Sequence, residues 1–231
     1  MDVRSTSSYS GVTINAGRNQ VLRNTYWLLA LSLIPTVIGA VVGLSSGVPM
    51  LMAGSPIMGT LVFFGIAFGL MWAIQRNQNS GTGVLLLLAF TFFMGVMLSQ
   101  ILSVALGMAH GGELIAMAGS ATAAIFFSLA MYTSVSKRDF SFMGNFLFAG
   151  LILLILASIA NIFLAIPAMA VAISAIGALL FTGYLLFDLS RIVNGGETNY
   201  ITATLAVYLD IYNLFVSLLN LLMIFTGNDR D

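Results

Sequence analysis

The sequence predicts an all-α polytopic membrane protein with seven transmembrane helices, and three observations support this fold class. Of the 231 residues, 59% are hydrophobic and only 7% are charged, whereas soluble domains carry about 25% charged residues. Seven apolar runs are each long enough to cross a bilayer as a helix, which takes about 20 residues. The basic residues fall almost entirely on one side of the predicted membrane. We therefore expect the lipid bilayer to be the main partner of the chain.

The seven predicted helices follow from the apolar runs. They cover residues 26–44, 57–74, 84–108, 114–132, 146–166, 168–187 and 203–225. The fifth and sixth runs are separated only by Pro167, which lacks an amide donor and interrupts a helix. Without that proline the stretch would be about twice as long as a bilayer needs, so we expect a helical hairpin there.

The distribution of Lys and Arg predicts the orientation. With the N-terminus in the cytoplasm, the inside segments hold Arg4, Arg18, Arg23, Arg76, Lys137, Arg138 and Arg191, and the outside segments hold only Arg230. Because cytoplasmic loops are enriched in basic residues, the N-terminus is expected inside and the C-terminus outside. The predicted organisation is a cytoplasmic tail (1–24), a transmembrane domain (25–226) and a short periplasmic tail (227–231).

The N-terminal tail is rich in Ser, Asn, Gly and Thr and has no apolar stripe at helical spacing. Such a composition is typical of disordered segments. Two roles are consistent with it. The tail could serve only as a leader that sets topology, or it could be a handle for a cytosolic or membrane-bound partner.

Composition also excludes several kinds of site. The chain contains no cysteine and a single histidine, which excludes disulfides, thiol catalysis and metal sites built from several cysteines or histidines. Its formal net charge is zero, so no global positive field recruits nucleic acid. We expect neither a nucleic-acid partner nor a bound cofactor.

Two aspartates lie in or against the membrane. Asp188 closes the sixth predicted helix in "GYLLFDLSRI", and Asp210 lies in the seventh, about 10 Å from its start at ~1.5 Å per residue. Both are expected in the cytoplasmic third of the bundle, where their carboxyl groups could meet. An aspartate at the centre of a transmembrane helix costs about 2.5–3.5 kcal/mol, so some compensating interaction is expected.

A polar stripe follows Asp210 along the last helix. Asn213, Ser217 and Asn220 lie three, seven and ten residues further on, which places them on one helical face. A polar face within the membrane must contact protein or water. The stripe therefore either lines a buried path or forms interhelical hydrogen bonds that hold the bundle together.

The two aspartates suggest a pH-sensing or ion-pathway site. Two carboxylates about 4 Å apart repel by about 4 kcal/mol at an effective dielectric near 20, so they would titrate as a unit. Such a pair could share a proton, bind a cation through its oxygens, or switch between the two. Arg76 closes the second predicted helix on the same side. It is either a latch for the pair or an ordinary cytoplasmic arginine.

Two pairs of glycines are spaced four residues apart, Gly39 with Gly43 and Gly65 with Gly69. Small residues at this spacing allow helix backbones to approach closely. The approach could take place within one bundle or between two copies, so this pattern leaves the oligomeric state open.

Several segments resemble one family of membrane proteins. "YLDIYNLFVSLL" in the last helix and "GYLLFDLSRIVNGGETNYITATLAVY" before it resemble the Bax inhibitor-one family. "VLRNTYWLLALSL", "KRDFSFMG" and "ANIFLAIPAMAVAISA" resemble its bacterial YccA-like branch. The similarity covers most of residues 20–225 and implies a multi-pass protein of the bacterial inner membrane, with six helices around a central seventh.

The resemblance implies two different functions. In one, Asp188 and Asp210 form a pH-sensitive pair that gates a calcium leak and could bind the ion, with Arg76 as its latch. In the other, the protein is both a substrate and a modulator of the membrane-anchored AAA protease FtsH, which engages the N-terminal tail. A third possibility, an intramembrane aspartyl protease, is disfavoured because Val-Tyr-Leu precedes Asp210 in place of Gly-x-Gly. We expect no enzymatic activity.

Overall fold

The computed structural model describes residues 5–47 and 56–228, with side chains described over 19–47 and 59–227. The described chain forms seven long α-helices and one short 3-10 helix, Ser141–Met143, and contains no β-strand. The α-helices are α1 (Ser5–Ser45), α2 (Pro56–Arg76), α3 (Gly81–Leu106), α4 (Gly111–Ser136), α5 (Gly144–Leu164), α6 (Pro167–Asn194) and α7 (Tyr200–Asn228). All seven are long and apolar enough to cross a membrane. The predicted fold class is confirmed, while the orientation of the termini stays a prediction.

The hairpin around Pro167 is present. Helix α5 ends where Ala165 adopts a left-handed conformation with φ of 50°. Helix α6 begins at Pro167, which occupies the first turn, where the missing amide has no intrahelical partner to lose. A single proline thus divides one long apolar stretch into two antiparallel helices.

The predicted tail and the first helix overlap. Helix α1 already runs through residues 19–24, and Val21 and Leu22 pack against the hydrophobic core. These residues therefore belong to the bundle, although the predicted tail extended to residue 24. The structure describes the backbone of residues 5–18 as the first turns of α1, without side chains, and the disorder expected for this segment stays a prediction. Most of the predicted periplasmic tail lies outside the described part of the chain.

Helix α7 is the centre of the bundle. Within the described residues it contacts α1, α2, α3, α4 and α6, and of the spanning helices only α5 does not touch it. Its largest fully buried side chains include Ile201, Tyr208, Leu214 and Leu219. Helix α5, by contrast, buries only Leu147 and packs on the outside of α6. The expected central seventh helix is confirmed.

The first glycine pair packs inside this bundle. A Cβ added at Gly39 would clash with the backbone of Phe92 on α3, and one added at Gly95 would clash with the backbone of Thr36 on α1. Glycine is required here because the two backbones touch. Gly65 and Gly69 on α2 instead face open space, so only the first pair serves packing within the chain.

The loops at one end of the bundle are fastened to each other by polar side chains. Asn199, just before α7, donates to the carbonyl oxygen of Gln78 at 2.8 Å in the loop between α2 and α3. Ser190 near the end of α6 donates to the carbonyl oxygen of Arg138 at 2.9 Å and accepts from the amide of Phe140 at 3.1 Å. The α6–α7 loop and the end of α6 are therefore each bound to a neighbouring loop, and the aspartate pair lies on the two helices that the α6–α7 loop joins.

Candidate functional site: an aspartate pair between α6 and α7

The two aspartates come from adjacent antiparallel helices. Asp188 lies six residues before the end of α6 and Asp210 ten residues after the start of α7, so they are about 9 and 15 Å from the helix ends at ~1.5 Å per residue. Their carboxyl groups are within hydrogen-bonding reach of each other. The structure thus brings together the two acids that the sequence singled out.

The pair lies at the boundary between the core and the loop. Asp210 is 5% exposed, and its Oδ2 atom is buried and receives no hydrogen bond from a conventional donor among the described residues. The Asp188 side chain is 14% exposed. A hydrogen bond between two carboxyl groups requires that one of them carry a proton. Asp188 is therefore the polar side chain available to the more deeply buried Asp210.

Arg191 links the pair to the loop, a contact that the sequence analysis missed. Its Nη1 atom lies 3.8 Å from Asp188 Oδ1, and its Nη2 atom lies 3.9 Å from Glu197 Oε2. Its guanidinium also lies 5.5 Å from the ring centroid of Phe187. The signal was the three-residue spacing of Asp188 and Arg191, which places them on one helical face. The charge bias of the loops predicts only the side of the membrane on which Arg191 lies, not this contact.

Glu197 is held firmly in the loop that follows α6. Its Oε1 atom accepts hydrogen bonds from the amides of Thr198 and Asn199, both at 2.9 Å, and from the Thr202 hydroxyl at 3.2 Å. These bonds satisfy amide groups at the start of α7, where a carboxylate is also favoured by the helix dipole. The position of Arg191 between two acids is therefore set by the loop.

Arg76 lies elsewhere in the structure. It is exposed at the end of α2, and its guanidinium stacks 5.3 Å from the ring centroid of Trp72 on its own helix. Among the described residues its side chain forms no ion pair with Asp188 or Asp210. The sequence placed it at the correct end of the bundle, but the structure does not bring it to the pair. Its role as a latch stays a prediction.

The predicted polar stripe on α7 is partly buried. Asn213 donates to the carbonyl oxygen of Leu209 in its own helix at 2.8 Å. Ser217 is buried against Gly177 of α6, where a Cβ added to that glycine would lie 2.8 Å from the Ser217 hydroxyl. Asn220 is half-buried. The stripe thus meets protein at Ser217, and its role in a buried path stays a prediction.

The pair alone is a poor cage for a metal ion. The part of the chain that the structure describes holds no cluster of three or more His, Asp or Glu side chains able to bind a metal. Calcium takes about 6–8 oxygen ligands, and two carboxylates supply about four at most. A calcium ion at Asp188 and Asp210 would keep part of its water shell. Such incomplete coordination favours weak, transient binding over tight binding.

Comparison with known proteins identifies the family of the chain. The family described as "Inhibitor of apoptosis-promoting Bax1" matches residues 18–227. The chain belongs to the Bax inhibitor-1 family. This confirms the resemblance seen in the sequence, and the match includes both aspartates and all seven helices apart from the beginning of α1 and the last residue of α7.

Bacterial members of the Bax inhibitor-1 family are similar to the chain over nearly its full length. An uncharacterized membrane protein of Vibrio cholerae is 44% identical over 211 residues, which is 91% of this chain and 92% of the relative. The modulator of FtsH protease YccA of Escherichia coli K12 is 42% identical over 204 residues, 88% of this chain and 90% of the relative. An Escherichia coli O6:H1 relative with the same identity and coverage is named inner membrane protein YccA.

These relatives and the seven apolar helices assign the protein to the bacterial inner membrane as a multi-pass protein. The names of the three relatives describe membrane proteins and a protease modulator, and none of them names a catalytic activity.

Proposed function

We propose that this Bax inhibitor-1 family protein modulates a membrane-anchored protease of the FtsH type. The observation that carries the proposal is the 42% identity to the modulator of FtsH protease YccA over 88% of this chain and 90% of the relative. Similarity of this extent covers the whole bundle, so the surfaces that could meet a membrane protease are represented in both proteins.

The N-terminal segment is the part of the chain suited to enter such a protease. Its composition, rich in Ser, Asn, Gly and Thr over residues 1–18, is that of a segment without a packed core of its own. The bundle that follows buries its hydrophobic core around α7, which we expect to slow its unfolding by the protease. A chain with an accessible end and a stable body occupies the protease for longer than an ordinary substrate does.

Reconstitution of the purified chain with FtsH in proteoliposomes tests this proposal. We expect the full chain to slow degradation of a reference membrane substrate and to be degraded slowly itself. Deletion of residues 2–18 should prevent turnover of the chain and weaken its inhibition of the reference substrate. Both rates are read from quantitative gels over time.

The matched control replaces residues 2–18 with a Gly/Ser linker of equal length, which keeps the reach of a flexible segment but not its sequence. Retained turnover in this control shows that accessibility of the segment is sufficient, and lost turnover shows that its sequence is read. Equal degradation of the reference substrate with and without the full chain contradicts the proposal.

The aspartate pair favours a second candidate function, a pH-sensitive leak for cations such as calcium. Asp188, Asp210 and Arg191 form a group of ionisable side chains where α6 and α7 meet. A shared proton holds the two carboxyls together. When it leaves, the two negative charges repel by about 4 kcal/mol at ~4 Å and an effective dielectric near 20, which drives α6 and α7 apart at this level.

The leak is tested by measuring calcium flux into proteoliposomes between about pH 6 and 8. In this range a pair that shares a proton could lose it under physiological conditions. Asp210→Asn keeps the shape of the side chain and removes its negative charge, so flux should lose its dependence on pH. Asp139→Asn is the matched control, because it makes the same substitution in the loop between α4 and α5, outside the pair, and should leave the pH dependence of the flux unchanged. Flux and pH dependence that are unchanged in Asp210→Asn rule out gating by the pair.

A further inference from the structure

A cavity on the opposite face of α7 is not used by either proposed function. Its volume is about 540 Å³, and it lies between α1 and α4 with α7 as its floor. On α7 it is lined by Tyr208, Ile211, Tyr212 and Phe215. At 100° per residue these side chains point away from Asp210. The cavity and the aspartate pair therefore lie on different sides of the central helix.

The cavity exists because α1 and α4 do not pack together. Both contact α7, yet no Cα atoms of the described parts of α1 and α4 come within 8 Å of each other. The two helices meet through the rings of Tyr26 and Phe126, whose centroids are 6.1 Å apart at an interplanar angle of 88°. This contact closes one end of the cavity. Along the remaining length α1 and α4 stay apart and form the two walls of a cleft.

The cleft opens sideways toward the bilayer. At its rim, Leu33 on α1 is 47% exposed and Phe127 on α4 is 67% exposed. These residues belong to the apolar outer surface that faces lipid in a membrane protein of this type. The interior of the cleft is thus continuous with the lipid-facing surface, and the molecules at its mouth are lipids.

The interior of the cleft is chemically apolar. Three of its hydroxyl-bearing contacts are satisfied within the protein: Thr36 and Tyr208 hydrogen-bond to each other at 2.9 Å, Tyr212 donates to the carbonyl oxygen of Met94 at 3.3 Å, and Thr122 donates to that of Ala118 at 2.8 Å. The Tyr26 hydroxyl at the closed end is buried and has no hydrogen-bond partner among the described residues. Away from that end, an occupant needs no polar groups of its own.

The dimensions of the cleft match one acyl chain. Along α1 it extends from Tyr26 to Thr36, which is about 15 Å at ~1.5 Å per residue and half of the ~30 Å hydrocarbon core. A transmembrane helix crosses the whole hydrocarbon core and would extend well beyond a cleft of this length. An acyl chain that ends inside the leaflet matches the length better.

A basic side chain stands at the closed end. Arg23 is exposed and lies three residues before Tyr26 on the same side of α1. We propose that the cleft between α1 and α4 binds a phospholipid of the leaflet at this end, with one acyl chain against α7 and its anionic phosphate beside Arg23. The site holds the lipid against the helix whose other face carries the aspartates.

Photolabelling of the full chain tests this site. The protein is placed in phosphatidylcholine vesicles that contain phosphatidylglycerol with a diazirine halfway along one acyl chain, and the labelled peptides are identified by mass spectrometry. We expect labels on α7 around Ile211 and Phe215, side chains that vesicle lipid outside the cleft does not reach.

Ala123 and Ala124 on α4 provide a matched pair of variants. Both are exposed, but only Ala123 lines the cleft. Ala123→Phe should lower the α7 label by about tenfold, a change equivalent to ~1.4 kcal/mol, and Ala124→Phe should leave it unchanged. Should Ala123→Phe fail to fold, Gly119→Leu fills the cleft from a position with space around it.

Three results overturn the assignment. The first is equal labelling of α7 in the cleft-filling variant and the control. The second is labelling of α7 that does not fall in Arg23→Gln, which removes the phosphate contact. The third is a co-purified protein that protects α7 from the label, since a protein partner would then occupy the cleft.

Discussion

The carboxyl group of Asp188 lies 3.8 Å from the guanidinium of Arg191, one turn later on α6. The same carboxyl also interacts with that of Asp210 on α7. Asp188 thus stands between a buried acid and a half-exposed base, and Arg191 in turn contacts Glu197 of the loop. A change in the charge of Asp210 therefore acts on Asp188, and through Arg191 it reaches Glu197 in the α6–α7 loop.

The ion pair between Asp188 and Arg191 should contribute little to stability. The Arg191 side chain is 37% exposed, and solvent screening reduces exposed pairs to about 0.2–1 kcal/mol. We expect a double-mutant cycle of Asp188→Asn and Arg191→Gln to give a favourable coupling energy in that range. Reversible unfolding in mixed micelles measures it.

The control for that cycle is Arg138→Gln. Arg138 is exposed at the same end of the bundle, and its side chain forms no ion pair among the described residues. It should show no coupling to Asp188→Asn. A coupling of several kcal/mol between Asp188 and Arg191 would instead identify the pair as a structural clamp.

Asp210→Asn should stabilise the bundle. An ionisable acid within a transmembrane helix costs about 2.5–3.5 kcal/mol, and Asp210 Oδ2 receives no hydrogen bond from a conventional donor in the described structure. A neutral amide of the same shape avoids part of that cost and can still bond to Asp188. We expect the free energy of unfolding to rise by about 1 kcal/mol.

Asp188→Asn is the counterpart that separates function from packing. Because Asp188 also loses its contact with Arg191, its substitution should bring less stabilisation than Asp210→Asn does. If Asp210→Asn instead lowers the free energy of unfolding by more than about 1 kcal/mol, the acid serves to hold α6 and α7 together. The hydrogen-bonding role left open by the sequence would then be correct.

Gly39→Ala should destabilise the bundle by about 1–3 kcal/mol, the usual cost of overpacking a tight interface. The new Cβ would clash with the backbone of Phe92, which cannot move without disturbing α3. Gly65→Ala is the matched control on α2, where a Cβ meets nothing within 4 Å. Thermal unfolding of both variants in the same detergent measures the difference, and equal midpoints would contradict close packing at Gly39.

Much of the fold could be predicted from the sequence because it follows from length and hydropathy. Each run of about 20 apolar residues must span the bilayer, and Pro167 must break the longest one. Charge bias then sorted the loops to two sides and placed Asp188 and Asp210 at the same end. These properties depend on position along the membrane normal, which sequence order fixes.

The contacts within the site depend on rotation about each helix axis, which sequence order does not fix. Arg76 was selected because it lies at the same end of the bundle as the pair, and in the structure its side chain stacks on Trp72 of its own helix. The arginine that forms an ion pair with Asp188 is Arg191. The cleft between α1 and α4 could not be predicted for a related reason, since it results from two helices that are not neighbours.

The turn between α4 and α5 should respond to acid through Asp139. Hydrogen bonds from the Ser141 hydroxyl and amide hold the pKa of Asp139 below its usual value of 3.8, and the amide bond measures 2.8 Å. Because the folded pKa is lowered, ionised Asp139 stabilises the turn at neutral pH, and this contribution is lost as the pH falls through the lowered pKa.

Ser141→Ala removes the hydroxyl, the larger of the two causes, and should raise the Asp139 pKa toward 3.8. Carboxyl carbon chemical shifts of selectively labelled aspartate, followed through an acid titration in detergent, measure that pKa. Ser136→Ala is the control in the same connection, since its hydroxyl accepts from the amide of Arg138 and not from a group on Asp139. An Asp139 pKa that is the same in the wild type and in Ser141→Ala would show that the amide alone fixes the carboxylate, because the amide is the donor that remains.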